Sequence, residues 1–242
     1  MGRSLSAPRK TGTAPRLPGQ RHVVQAVPVR RRLAPAERER HIVDGAVSFF
    51  AEVGFGGQTR ELARRLGITQ PLLYRYFPTK QDLIERVYEE VYVRRWDPRW
   101  TRLIADRSQP LRARLVEFYA AYGTAVLTRE WMRIYMFAAL AGAAINQRYT
   151  ALIERALLVP VCAELRAETG LPDIASVPLD DAEIELAWAM HSAVFYYYVR
   201  KHIYAARVAA DAGQTVARMV DAMLDGTPEV MRRVVAAAAG GR

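Results

Sequence analysis

The chain has 242 residues, 51% of them hydrophobic and 25% charged, enough to bury a substantial core. Its one cysteine, Cys162, excludes a disulfide framework and a cysteine-built zinc site, and the longest run free of charged or strongly polar residues, 134–145, is too short to span a bilayer. The net charge is +10, yet residues 1–33 hold eight basic side chains and no acidic one, so the remainder is nearly balanced at +2 and charge alone does not argue for nucleic acid.

Residues 1–33 contain Pro8, Pro15, Pro18 and Pro28 and no sustained apolar period, which predicts a disordered, Arg-rich N-terminal tail. Arg30, Arg31 and Arg32 suit either an arm that reaches phosphates or a minor groove, or a merely solubilising segment. The tail has no apolar core of a secretory signal, and with the single cysteine this predicts a cytoplasmic protein with no membrane partner. From Ala34 the apolar pattern is helical throughout, with no alternating strand run and no hairpin Asn-Gly or Asp-Gly pair. Breakers such as Gly54-Phe55-Gly56-Gly57, Gly67, Pro78, Asp97-Pro98, Gly170-Leu171-Pro172 and Gly226-Thr227-Pro228 divide it. The expectation is an all-α chain of about nine helices: a three-helix head over 34–88, a helical body over 89–228 and a C-terminal tail over 229–242.

The head carries the densest information. Ile42, Ala46, Phe49 and Phe50 form one apolar stripe of a first helix that ends before Gly54. A short helix over 58–66 follows, with Leu62 and Leu66 on one face and Gly67 where a left-handed C-terminal residue is expected. Thr69 then supplies an N-cap and Pro71 sits in the first turn of another short helix. Two short helices joined by about three residues with a glycine in the turn make a helix-turn-helix. Ala63 is small where the helices approach, and Ile68 and Leu73 plug the space between them. At about 100° per residue, Leu73 and Phe77 face inward while Pro71 and Arg75 face outward, flanked by Leu72, Tyr74 and Tyr76. Arg75 has the geometry for guanine O6 and N7, and Pro71 or Leu72 for a thymine methyl. Thr59, Tyr74, Tyr76 and Lys80 suit phosphates, which fix register without reading sequence.

These residues resemble the TetR family of bacterial transcriptional regulators. The likeness is carried by Gly54-Phe55, by the run Thr59-Arg60-Glu61-Leu62-Ala63-Arg64-Arg65-Leu66-Gly67-Ile68-Thr69-Gln70-Pro71, and by Leu73-Tyr74-Arg75-Tyr76-Phe77-Pro78-Thr79-Lys80 with Leu83. It covers about fifty residues. The resemblance implies that Arg60 and Gln70 contact base edges, Pro71 a thymine methyl, and Thr59, Tyr74 and Lys80 phosphates. Two positions depart from the pattern: Leu72 cannot donate a hydrogen bond, and Arg75 stands in place of a large aromatic. The resemblance also implies that a fourth helix, read here over 79–96, connects the head to the body and sets the separation of two heads.

The body reads as helices over 98–106, 110–128, 130–145, 148–169, 180–206 and 209–225, with Asp180 and Glu183 as a capping box. The resemblance makes the last two the dimer elements, and Val216, Met219, Val220, Met223 and Leu224 form a stripe suited to that packing. Trp131, Met132, Tyr135 and Met136 cluster on one helix, and Trp188, His191, Phe195, Tyr198 and His202 recur on another. They fit a packed core, or a ligand cavity of Trp131, Tyr135, Trp188, Phe195 and Tyr198 with His191, Asn146 and Arg133 as polar anchors. His191 and His202 lie about three turns apart and do not share a metal ion. No Ser/His/Asp order, phosphate-cradling glycine loop or His-Glu-x-x-His motif is present, so neither an enzyme nor a cofactor is expected. The expected function is a ligand-responsive, sequence-specific repressor, a homodimer on a palindromic DNA operator released by a small, largely apolar effector. A sequence-indifferent DNA binder driven by the tail and an activator on the same scaffold are the alternatives.

Overall fold

A computed structural model describes residues 33–142 and 144–240; the proposed Arg-rich arm lies outside them, apart from Leu33. The described residues form α-helices and no strand. In chain order they are α1 (Pro35–Val53), α2 (Thr59–Arg65), α3 (Gln70–Tyr76), α4 (Lys80–Tyr88), α5 (Arg99–Ala105), α6 (Leu111–Ala125), α7 (Arg129–Leu140), α8 (Ala144–Ile153), α9 (Val159–Thr169), α10 (Asp181–His202) and α11 (Ala212–Gly240). The wider π segments Glu89–Val93 and Glu154–Leu158 extend α4 and join α8 to α9 into one rod.

The head forms as its caps and apolar spacing demand. Thr69 Oγ1 accepts from Leu72 N at 3.3 Å to start α3, and Thr79 Oγ1 accepts from Asp82 N at 3.0 Å while Asp82 Oδ2 accepts from Thr79 N at 2.8 Å to start α4. Gly67 takes the left-handed conformation at φ 61°, a backbone shape that a Cβ would oppose. Ile42, Ala46, Phe50, Leu62, Ala63, Leu73, Phe77, Leu83 and Val87 are buried together, so one small core fixes the orientation of α2 and α3.

In the body the chain departs from the sequence pattern in three places. The helix read over 130–145 breaks at Gly142, which is left-handed at φ 65°; the exposed Leu140 ends α7 and α8 starts anew. The helix read over 148–169 contains the π segment, because Pro160 has no N–H for the carbonyl of Ala156; that carbonyl instead accepts from Thr101 Oγ1 of α5 at 3.3 Å. The boundary read at Gly226-Thr227-Pro228 does not end α11, which runs through Pro228 to Gly240 in place of a C-terminal tail. Burial of Thr227 and Met231 beside Val216 and Val220 keeps the helix docked across the proline, so tertiary packing overrides its helix-breaking tendency.

Two buried ion pairs brace the body. Arg166 donates to Glu183 Oε1 and Oε2 at 2.7 and 2.6 Å and to the carbonyls of Pro172, Val177 and Pro178, which closes the loop between α9 and α10. Glu164 accepts from Arg114 at 2.8 Å and from Arg107 at 3.0 Å, tying α6 and the end of α5 to α9. Among the described residues, no helix is long and apolar enough to cross a membrane.

Candidate nucleic-acid interface and body cavity

On the outer face of the head, α3 exposes Pro71, Tyr74 and Arg75, with Gln70, Leu72 and Tyr76 half-buried beside them. Arg60 is exposed on α2, and Lys80 is half-buried at the start of α4. Thr59 differs from its expected place at a phosphate. It is buried, its hydroxyl lies 2.9 Å from the Tyr74 hydroxyl, and it accepts from Gln70 Nε2 at 3.2 Å. Its hydroxyl therefore ties α2 to α3 and holds Tyr74 and Gln70 in position. Thr69 likewise uses its hydroxyl on its own helix.

The cations of α2, α3 and the first residue of α4 divide into two sets. Arg64 and Arg65 pair with Glu61 at 2.7 and 3.0 Å, and these hydrogen bonds hold the Glu61 carboxyl down to about 2. Arg65 also reaches Glu52 and lies over the Phe49 ring. Arg60, Arg75 and Lys80 form no ion pair with any described residue, and Arg75 rests its guanidinium 5.7 Å from the Tyr76 ring. Only the second set keeps its charge uncompensated on the outer face, where an anionic partner would meet it.

In the body, α7, α8 and α10 line a partly open cavity of about 160 Å³. Trp131 and Tyr135 line it from α7, Tyr149, Thr150 and Ile153 from α8, and Trp188, His191, Ser192 and Phe195 from α10. Trp131 and Tyr135 stack at 4.9 Å with 10° between their planes, and Phe195 stands edge-on to both. His191 is enclosed by the rings of Tyr119, Tyr122 and Trp188, and burial pushes its pKa down to about 4, so it is neutral at pH 7.

Three residues expected at this cavity lie elsewhere. Arg133 turns its guanidinium onto the carbonyls of Ala51 and Glu52, the C-terminal end of α1, where unpaired carbonyls and the helix dipole favour a cation. Asn146 donates to the carbonyl of Tyr135 at 3.1 Å and joins α8 to α7. Tyr198 fills the space over Gly123, where a Cβ would stand 2.1 Å from its hydroxyl, and stacks on His202. Conversely, Tyr149, Thr150, Ile153 and Ser192 line the cavity without having been expected there. The i, i+4 spacing of Tyr149 and Ile153 was the available signal for the α8 wall.

Three contacts connect cavity and head. α7 carries Trp131 and Tyr135 on its cavity side and Arg133 against α1. Tyr92, in the π segment that extends α4, packs its ring against Trp131 at 5.3 Å and Tyr149 at 5.2 Å. Farther along α4, Arg148 of α8 lies 4.0 Å over the Tyr88 ring and donates to Glu85 at 2.8 Å.

Comparison with known proteins places the likeness first in the head. Residues 42–87 match the model of bacterial regulatory proteins of the tetR family. Among solved structures, the fold is similar to that of a transcriptional regulator from Pseudomonas aeruginosa PAO1, with TM-score 0.62 and 22% identity over 84% of this chain and 95% of the other. It is also similar to a TetR-like transcriptional regulator from Rhodococcus sp. RHA1, with TM-score 0.61 and 20% identity over 81% of this chain and 100% of the other. A tetR-family regulator from Streptomyces coelicolor follows at TM-score 0.56 and 16% identity, over 84% of this chain and 90% of the other. At these identities the likeness is one of fold. No curated protein matches the chain. The chain thus carries a head that matches the tetR family over residues 42–87, on a body whose all-helical fold is similar to that of those regulators.

Proposed function

We propose that the chain acts as a homodimeric repressor that binds a palindromic operator and leaves it when a small, largely apolar effector enters the body. The observation that carries this reading is the double use of α7, one side of which walls the cavity while Arg133 on another caps α1 of the head. An effector that changes the packing of Trp131 and Tyr135 shifts the helix against which the head rests. Tyr92 supplies a second connection, through the segment that continues α4. The effector moves the equilibrium only by its differential affinity for the two arrangements, and a coupling of about 1–3 kcal/mol is typical.

On DNA, Arg60, Gln70 and Arg75 read base edges and Pro71 and Leu72 press on thymine methyls. Tyr74, Tyr76 and Lys80 hold phosphates, while Thr59 and Thr69 position the residues around them. Two such heads enter successive major grooves about 34 Å apart, which a two-fold dimer supplies. Support for the dimer comes from α10 and α11, where Tyr196 is exposed and Met219 and Met223 are only partly covered by the chain itself. Val216 and Val220, expected on that face, are buried within the chain, so the dimer stripe is narrower than the sequence suggests. The functional division is a head at 34–88 and an effector and dimer body from 89 onward.

Selection of bound sequences from random duplex DNA tests the reading. A palindromic consensus is the expected result. No enrichment by folded, dimeric protein overturns it.

A further inference from the structure

The cavity between α7, α8 and α10 is open on the side of α10. Trp131, Tyr149, Ile153 and His191 are buried on its floor, Trp188 and Phe195 are half-buried, and Ser192 alone of the lining residues is exposed. The mouth therefore lies at Ser192. At about 100° per residue, Ser192 also belongs to a stripe that α10 turns away from the body. Glu185, Ala189, Ala193 and Tyr196 are exposed along this stripe and Arg200 is half-buried, while Trp188 and Phe195 border it on the cavity side.

The stripe is complementary to itself. A two-fold axis between Ser192 and Ala193 runs two copies of α10 antiparallel and sets each residue against one equally far beyond the axis. The small Ser192 and Ala193 at the centre allow the helices a close approach. Tyr196, 52% exposed, then meets Ala189, a large side chain on a small one, and Glu185 meets Arg200. Neither Glu185 nor Arg200 has an ion-pair partner among the described residues, and Arg200 lies 5.7 Å from the ring of its own Tyr196. Each pairing occurs twice. An axis through Ser192 itself sets Glu185 against the buried Val199 and loses the charge pair. A parallel arrangement sets Glu185 against Glu185 and Arg200 against Arg200, which is repulsive.

We propose that a second copy of this chain completes the cavity, packing α10 on α10 in this register so that its Tyr196 lies on Ala189, beside Trp188 and Ser192, and covers the mouth. This rests on the homodimer and effector reading above and adds that both copies build the effector site. In a single copy Trp188, Ser192 and Phe195 meet water at the mouth, and a bound apolar molecule stays partly hydrated. In the pair, Tyr196 of the second copy supplies the missing wall. Ligand binding and pairing are then linked, so a molecule that prefers the closed cavity strengthens the dimer by the same factor.

The test uses full-length protein, sedimentation over a dilution series, and calorimetric titration with toluene, an uncharged ring suited to a cavity of about 160 Å³. Wild type is expected to be a dimer. Glu185→Arg and Arg200→Glu are each expected to weaken it at least about tenfold, and the double charge reversal to restore it to within about threefold. Toluene is expected to bind the single variants, at concentrations where they are monomers, at least about tenfold more weakly than the wild-type dimer, and to regain its affinity in the double variant. If Arg200→Glu fails to fold, mild oxidation of Ser192→Cys decides the matter. It is expected to link two copies through a disulfide, whereas Lys201→Cys, exposed but off the stripe, gives no link; Cys162 is buried and takes no part. Dimers unchanged by both single variants, a double variant no better than the singles, or toluene bound equally by monomer and dimer overturns the proposal. A wild type that is monomeric at every concentration removes the homodimer reading as well. Charge-reversal rescue with no toluene bound to the wild-type dimer overturns the shared site and leaves the homodimer standing.

Discussion

Head and body treat their buried polar groups in opposite ways. Between residues 33 and 88 no buried side-chain nitrogen or oxygen lacks a partner, and the Thr59–Tyr74–Gln70 set links two helices through one hydroxyl. From Tyr92 to Arg200 such orphans recur, and two of them, Trp131 Nε1 and His191 Nδ1, belong to residues that line the cavity. The head is thus satisfied inside and carries its unmet demand as charge on the outside, on Arg60, Arg75 and Lys80. The body carries its unmet demand inside. The contrast puts uncompensated charge on the outer face of the head and unpartnered polar atoms inside the body.

The comparison yields predictions of decreasing size. The largest concerns the buried Arg166–Glu183 pair, which belongs to the body alone. Arg166→Ala is expected to cost about 3–5 kcal/mol in urea unfolding, because it strands the Glu183 carboxylate, while Arg166→Met with Glu183→Leu recovers most of the loss. Recovery by the double variant would be missing if the pair were dispensable or if the loop from 170 to 180 needed the guanidinium itself.

His191 sharpens the contrast through pH. Its folded pKa is depressed to about 4, whereas the unfolded chain protonates it near 6.5. The unfolded state therefore binds the proton first, and this group's contribution to stability falls as pH drops from about 6.5 towards 4, by up to about 3 kcal/mol. Tyr119, Tyr122 and Trp188 surround it and bring no charge at these pH values, so the effect belongs to burial. Unfolding curves at pH 7 and 4.5 should show a larger loss for the wild type than for His191→Phe. Equal losses would place the proton elsewhere.

On the DNA side, Arg75→Ala should weaken operator binding by about 1–3 kcal/mol and relax one position of each half-site. Lys80→Ala should weaken all sequences alike and lower the salt slope by about one. Both should leave thermal stability within about 0.5 kcal/mol, since neither side chain has an ion-pair partner among the described residues. Thr59→Val is the smallest and the most diagnostic change. It should cost about 1 kcal/mol of stability and reduce operator affinity indirectly, by freeing Tyr74 and Gln70. A loss of affinity with no loss of stability would return Thr59 to direct phosphate contact.

The head was legible in the sequence because its positions each do one job under tight geometry: Gly67 must turn, Thr69 must cap, and Leu73 and Phe77 must face in. Thr59 was the exception, since a hydroxyl at the start of a helix looks the same whether it meets a phosphate or a neighbouring tyrosine. The body was legible as helices and aromatic clusters but not as a site. A cation on an apolar helix, such as Arg133, reads identically whether it points into a cavity or caps another helix. Nothing in the local pattern reported that Pro228 would be carried through α11 or that Gly142 would split α7 from α8, because long-range packing decides the first and one backbone angle the second.

The central claim is that the outer face of the head reads bases. Anisotropy titrations of wild type and Arg75→Ala on the selected duplex, and on duplexes with single symmetric substitutions in each half-site, test it most directly. The expected result is that Arg75→Ala loses discrimination at one base-pair position per half-site and keeps it at the others, with unchanged melting. Equal weakening on every duplex would contradict the claim and make Arg75 a phosphate contact on a head that does not read sequence there.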